Sequence, residues 1–258
     1  RPAVHVVRPD RRLEKVDGGY LASGQWHHCT GVMHASWLMA GAIVIGPDGA
    51  AEDFLVALVP RRDYAIEANW NGAGLRGIGA GDVTVTRALV PEHRTFGWAS
   101  HDQRAALVPL FRLPQPTMYT HTGTAPLLGA AAGALDACAP EEPMPLGRYA
   151  MARADLDLSV LQMRRNLADL MDCARDSADP DGTLILRSRR DQVVACERAA
   201  RAVRIAIRTV ASDVDHDVVD RLWRDVQTAR IHSANNTEQV LTMYGRFAFG
   251  LSVDDLMW

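Results

Sequence analysis

The chain of 258 residues is 48% hydrophobic and 23% charged, which is enough apolar material for a packed core and too little polar bias for disorder. Its 28 basic and 31 acidic residues leave a net charge of -3 without a basic block, which excludes a surface built to bind nucleic acid. The length suits one large domain or two modest ones and argues against a repeat array or a small disulfide scaffold.

From residue 3 to about residue 112 the pattern is that of strands. Short apolar runs at 4–7, Trp37–Ile45, 54–59 and 83–90 are separated by turn signals at Asp17-Gly18-Gly19, Pro47-Asp48-Gly49 and residues 79–82. Such spacing without intervening helices predicts an antiparallel sandwich or barrel. After Pro116 the period changes. Residues 117–138 are rich in alanine and glycine and suit a closely packed helix, and residues 155–178 and 184–210 carry apolar side chains in steps of three and four. Residues 218–231 and 237–249 complete the set, with Ser233-Ala234-Asn235-Asn236 as a cap-like break between them. The expected fold class is therefore α+β, with a β sandwich or barrel over 1–114 followed by a C-terminal helical bundle over 115–258. Loops are expected at 140–145 and 178–183, and a hinge near 113–116.

The four cysteines, Cys29, Cys138, Cys173 and Cys196, form no CxxC pair, which points to a reducing compartment and away from a disulfide framework or a thiolate metal site. No apolar run approaches the roughly 18 residues of a membrane span and no signal peptide is visible, so a cytoplasmic enzyme or binding protein is expected. His27, His28 and His34 cluster around Cys29, but alternating residues of a strand face opposite sides and no carboxylate completes a set, so no metal is expected there.

The most distinctive local stretch runs from Trp70 to Phe96, where Gly72, Gly74, Gly77, Gly79 and Gly81 precede a strand ending at Pro91. Glycines there allow turns and close approach to another backbone or a ligand. The stretch lacks the following helix and the Gly-Lys-Ser/Thr of a phosphate loop. It resembles the segment that closes the middle β domain of the acyl-CoA dehydrogenase superfamily, a Trp, a Gly-Leu-Arg-Gly turn and a Val-Pro-Glu strand end. Upstream, the segment from Gly18 to Gly31 resembles the same superfamily's G-G-Y-x-x-S-G-x-W-x-x-x-S-G pattern, followed by Ala35-Ser36-Trp37. Downstream, residues 224–232 resemble its Arg-Asp helix, and Tyr244-Gly245-Arg246 its last helix.

The resemblance also selects a branch. Where acyl-CoA dehydrogenases carry Glu-Gly-Thr after the Arg-Asp helix, this chain has His232-Ser233-Ala234, so the dehydrogenase base is missing. The combination is similar to the oxygenase components of two-component flavin-dependent monooxygenases of the p-hydroxyphenylacetate hydroxylase type. Amino-sugar N-oxygenases (nitrososynthases) and a non-catalytic subunit of the same fold are the alternatives.

That resemblance implies reduced FMN or FAD delivered by a separate flavin reductase, dioxygen as co-substrate, and a flavin C4a-hydroperoxide that hydroxylates an aromatic or polyketide-like substrate; an amino sugar would replace it in the N-oxygenase alternative. It implies flavin contacts at Trp26, Thr30, Gly31 and Arg94, with Arg76 as a further candidate for an anionic group. His232 would be the base or hydrogen-bond acceptor beside a phenol oxygen, and His5 a substrate contact. Arg224 and Asp225 read as a structural ion pair at a helix junction. A homotetramer is expected. Family members also begin with an all-helical domain that this chain does not contain, so the expectation is that an N-terminal domain is missing ahead of Arg1, the alternative being a diverged relative that works without it. Two departures are Val6-Val7-Arg8-Pro9-Asp10 in place of the usual flavin loop, and Ile78 where threonine is common.

Overall fold

Asp17-Gly18 forms a tight hairpin in which Gly18, at φ +76, joins β1 (Arg12–Val16) to β2 (Gly19–Cys29). The structure is a computed structural model that describes residues 10–97, 108–113, 117, 120–138, 146–209 and 216–253. The run at 4–7 and the expected loop at 140–145 lie outside the described residues. Two compact units divide the described residues: 10–71 with 76–97, and Gly72–Leu75 with the described residues from 108 onward.

In the first unit, Pro47-Asp48-Gly49 turns β3 (Trp37–Ile45) into β4 (Ala51–Pro60), with Gly49 at φ +81 and Asp48 Oδ1 accepting the Ala50 N–H at 3.0 Å. Among the described residues β5 (Ala65–Glu67), β6 (Gly81–Pro91) and β7 (Thr95–Gly97) complete one seven-stranded sheet of order β5-β6-β2-β1-β3-β4-β7. All its ladders are antiparallel except that β1 and β3 run parallel. β4 and β6 stand far apart in this order yet touch, so the sheet curls around a single core. Leu13, Ala22, Ala40, Ala42, Val44, Val59, Val83 and Val90 fill it.

Period two explains which residues face inward, and one bulge corrects it. On β6, Val83 and Val85 are buried, then Thr86 and Arg87 both face out, then Ala88 and Val90 are buried again. The slip lies opposite Ala22 and Gly24, with Arg87 at φ +47 and its N–H donating to Ser23 Oγ at 3.1 Å. Without that extra residue the end of β6 would turn its apolar side chains to solvent.

The second unit is helical: a one-turn helix (Pro109–Arg112), α1 (Thr124–Asp136), α2 (Leu146–Arg175), α3 (Gly182–Thr209), α4 (His216–Arg230) and α5 (Thr237–Ala248). α3 is its axis and packs against all four other long helices. Ala195, Cys196, Ala199, Ala200, Ala202, Val203 and Ala206 are buried along it. Small side chains on so many faces let neighbouring backbones approach closely, so α3 is enclosed rather than simply amphipathic. Thr124 Oγ1 lies 3.7 Å from Cys196 Sγ and Cys138 Sγ 3.6 Å from the Ala206 carbonyl, so α1 and α3 run in the same direction. α2 starts nine residues ahead of the periodic signal at 155, and Arg153, paired with Asp136 and Tyr149, secures that first part. The break before α5 is a cap as expected: Asn236 Oδ1 accepts the Gln239 N–H at 3.2 Å.

Candidate functional site

The two β motifs become one piece of structure. β2 pairs with β6, and beyond β2 the Gly31 N–H donates to the Ile78 carbonyl and the Met33 N–H to the Gly79 carbonyl, both at 3.1 Å. Gly31 at φ +75 and Gly79 at φ +63 occupy a backbone region that disfavours side chains. At Gly79 a Cβ would also fall 2.8 Å from the His34 ring, so the contact between the two motifs depends on glycine there.

β2 ends irregularly, and this overturns the alternation expected for its histidines. His28 sits at φ +54 in the register shift between Trp26 and Cys29, so His27 and His28 are both exposed. His27 Nδ1 lies 2.6 Å from Asp82 Oδ2, the His28 N–H donates to Asp82 Oδ1 at 2.9 Å, and Asn69 Oδ1 accepts the Asp82 N–H at 3.2 Å. The His27 side chain, followed by the His28 N–H and Asn69, holds the Asp82 carboxyl far below the usual carboxylate range. The His28 ring meets Trp70 edge to face at 5.9 Å. Among the described residues no three histidine, cysteine or acidic side chains come together as metal ligands.

Trp26 lies in the core, 6% exposed, with its Nε1–H donating to the Gly41 carbonyl at 3.0 Å. The aromatic surface of this unit is instead supplied by Trp37, which is 47% exposed on the outer face of β3 beside Met39 at 56%. Arg94 stands with its guanidinium carbon 5.1 Å over the Trp37 ring. Thr30 and Met33 are exposed on the turn leading into β3. Trp37, Met39 and Arg94 thus set a flat ring, a thioether and a cation side by side on the outer face of β3. Arg76 is exposed. His5 lies outside the described residues.

His232 lies in the second unit, exposed, directly before a 3-10 turn (Ser233–Asn235). Its Nδ1 accepts the Ala234 N–H at 3.1 Å. A neutral imidazole whose Nδ1 accepts carries its proton on Nε2, so the group it presents is a donor.

Arg224 and Asp225 are not an ion pair with one another. Arg224 Nε donates to Asp220 Oδ2 at 2.9 Å, one turn earlier on α4, while Asp225 Oδ1 accepts the Leu75 N–H at 2.5 Å. Thr228 Oγ1 accepts the Gly74 N–H at 2.8 Å. The Asp and Thr of the motif thus bind the backbone of residues 74–75, because two side chains on adjacent turns of a helix face the same way. Arg190 NH1 donates to the Tyr244 hydroxyl at 2.8 Å, which gives that motif residue a packing role on α3.

One buried histidine carries no sequence signal. His121, 4% exposed, has no hydrogen-bond partner for either ring nitrogen among the described residues. Burial pushes it down to about 4, with the Asp191 carboxylate pulling partly the other way. Unfolded, it would titrate near 6.5, so between pH 6.5 and 4 only the unfolded chain binds the proton. Stability is therefore full above pH 6.5 and falls with pH below it, by about 2 kcal/mol from pH 7 to pH 5. Urea unfolding at the two pH values reads this loss, and a His121→Gln chain losing as much would remove its cause.

A curled β sheet followed by a helical bundle built around one enclosed helix is the acyl-CoA dehydrogenase architecture. Residues 138–237 match the family described as "Acyl-CoA dehydrogenase, C-terminal domain". Among proteins of known function, the chain is 34% identical to the flavin-dependent monooxygenase oxygenase subunit HsaA of Rhodococcus jostii (strain RHA1), over 94% of this chain and 69% of that one. It is 29% identical to the oxygenase component of the FADH(2)-dependent resorcinol hydroxylase of Rhizobium sp. (strain MTP-10005), over 94% of this chain and 67% of that one. The crystal structure of 3-HSA hydroxylase from Rhodococcus sp. RHA1 superposes with a TM-score of 0.86 at 33% identity, covering 98% of this chain and 70% of that chain. The chain belongs to the oxygenase subunits of the flavin-dependent monooxygenases. It is an enzyme, with flavin as its cofactor.

Proposed function

We propose that this subunit hydroxylates a phenol, using reduced FMN or FAD supplied by a separate flavin reductase. The observation that carries the reading is the 34% identity to an HsaA oxygenase subunit across 94% of the chain, β unit and helical unit alike. The resorcinol hydroxylase relative supports a phenolic substrate. Reduced flavin, when bound, activates dioxygen and supplies one of its oxygen atoms to the substrate.

The chain's own residues prepare this chemistry. In our reading the β unit is the flavin-contacting domain, where Trp37 and Met39 give the ring system an apolar bed, Thr30 offers a hydroxyl and Arg94 a positive charge. His232 presents Nε2–H, and a phenol oxygen hydrogen-bonded by it loses its proton to solvent more readily, because the donor stabilises the phenolate. A phenolate pushes electron density to its ortho and para carbons, the positions to be oxygenated. His232 thus acts as a hydrogen-bond donor to substrate rather than as the proton's acceptor.

We further propose a homotetramer. Along α2, Met151, Ala154, Leu158 and Leu161 recur in steps of three and four on one exposed face, a stripe suited to a second copy of the chain. All four cysteines are free, in keeping with a cytoplasmic location. No helix among the described residues is long and apolar enough to cross a membrane.

The test is a set of phenols incubated under air with the complete subunit and reduced FMN or FAD. At least one phenol should yield hydroxylated product in step with flavin oxidation, from a protein that light scattering weighs as four chains. Hydrogen peroxide as the sole product with every phenol, together with no flavin binding, would sink the catalytic reading, and a lighter particle would sink the tetramer.

A further inference from the structure

The His232 turn is held from behind by a chain of buried amides. Gln192 and Arg189 lie one turn apart on α3, and both are buried. Arg189 NH1 donates to Gln192 Oε1 at 2.6 Å, which fixes which way round the Gln192 amide lies. Its Nε2 then donates to Asn235 Oδ1 at 2.8 Å and to the Ala234 carbonyl at 3.3 Å. Asn235, also buried, donates from Nδ2 to the Ala229 carbonyl at 3.2 Å, and its N–H donates to the His232 carbonyl at 2.7 Å. Each amide is thereby oriented by the one before it, from α3 to the end of α4.

Gln192 grips Ala234 and Asn235, and the N–H of Ala234 is the donor that occupies His232 Nδ1. We infer that Gln192 is a positioning residue for the hydroxylation: through Ala234 it keeps His232 in the tautomer with the proton on Nε2, so that the ring always offers the phenol oxygen a donor. This deepens the reading of His232 given above and rests on it. With Gln192 unable to hydrogen-bond, the 233–235 turn loses two buried anchors and the Ala234 N–H drifts from Nδ1. The imidazole then samples the other tautomer and other rotamers, and only part of the population is competent.

A double-mutant cycle on the complete subunit, supplied with its reductase, tests this. Gln192→Met keeps the length of the side chain and removes its hydrogen bonds. It should lower product formed per flavin oxidised about tenfold, within the range typical of partners that orient an active imidazole, with flavin affinity unchanged. In a His232→Ala background the same substitution should do nothing further, since there is no ring left to orient. A purely structural role would instead add its loss in both backgrounds, and that result, or an undiminished yield in Gln192→Met, would overturn the inference while leaving His232 in place. Full yield in His232→Ala would overturn both at once. Should Gln192→Met fail to fold by circular dichroism, Gln192→Glu runs the same cycle, because it retains the acceptor for Arg189 and loses only the donor to Ala234 and Asn235.

Discussion

His232→Ala should lower hydroxylated product per reduced flavin about a hundredfold, the scale on which a hydrogen-bonding group at developing charge is felt. Flavin binding should not change, because the residues we assign to it, Thr30, Trp37, Met39 and Arg94, belong to the other unit. The substitution also removes the acceptor for the Ala234 N–H, a cap whose loss costs about 1 kcal/mol. His232→Asn separates the two effects. Asparagine is a strong capping residue and can take the same N–H, yet its amide does not reach as far as the imidazole Nε2. Stability should return with asparagine and product should not. If asparagine restores product, the cap was the whole of the residue's role.

Gly74→Ala should cost about 4 kcal/mol, which lowers the melting temperature by about 10 °C in a chain of this size. An added Cβ would lie 2.2 Å from the Arg224 carbonyl oxygen and 2.5 Å from the Asp225 nitrogen, both in the backbone of α4, where no side chain can turn aside. Relief requires the segment to lift away, which breaks the Gly74 bond to Thr228 and the Leu75 bond to the Asp225 carboxylate. Bonds to charged acceptors are worth about 1.5–3 kcal/mol, so the second loss is the larger. Differential scanning calorimetry reads the result directly, and a melting temperature within about 2 °C of the parent would show that the segment yields without strain.

Much of the architecture follows from local pattern. Ala40, Ala42 and Val44 alternate with outward residues, and the strand they define begins and ends where the apolar run does, at Trp37 and Ile45. Asn236 caps α5 through its own side chain, a contact reaching only three residues along the chain. What stayed hidden depends on groups distant in sequence. Trp26 and Trp37 look alike as letters, and the curl of the sheet decides that one is enclosed and the other presented. Asp225 follows Arg224 directly, which suggests a pair, while its actual partner is an amide 150 residues away. The His27 and His28 alternation fails because of one left-handed residue, for which no glycine or asparagine gave warning. His121 and Gln192 have no motif at all, and only burial and the direction of their neighbours mark them out.

The four residues Gly72–Leu75 belong with the helices although the chain on either side of them belongs with the sheet. This subunit is therefore a poor candidate for modular exchange. A gene fusion or recombination event that joined the sheet of one relative to the helices of another would need only one crossover between 97 and 108, yet it would also have to match an inherited glycine at 74 to a foreign aspartate and threonine on α4. Swaps that carry residues 72–75 together with the donor's helices should be tolerated more often than swaps that cut once, so these halves are expected to diverge as a pair.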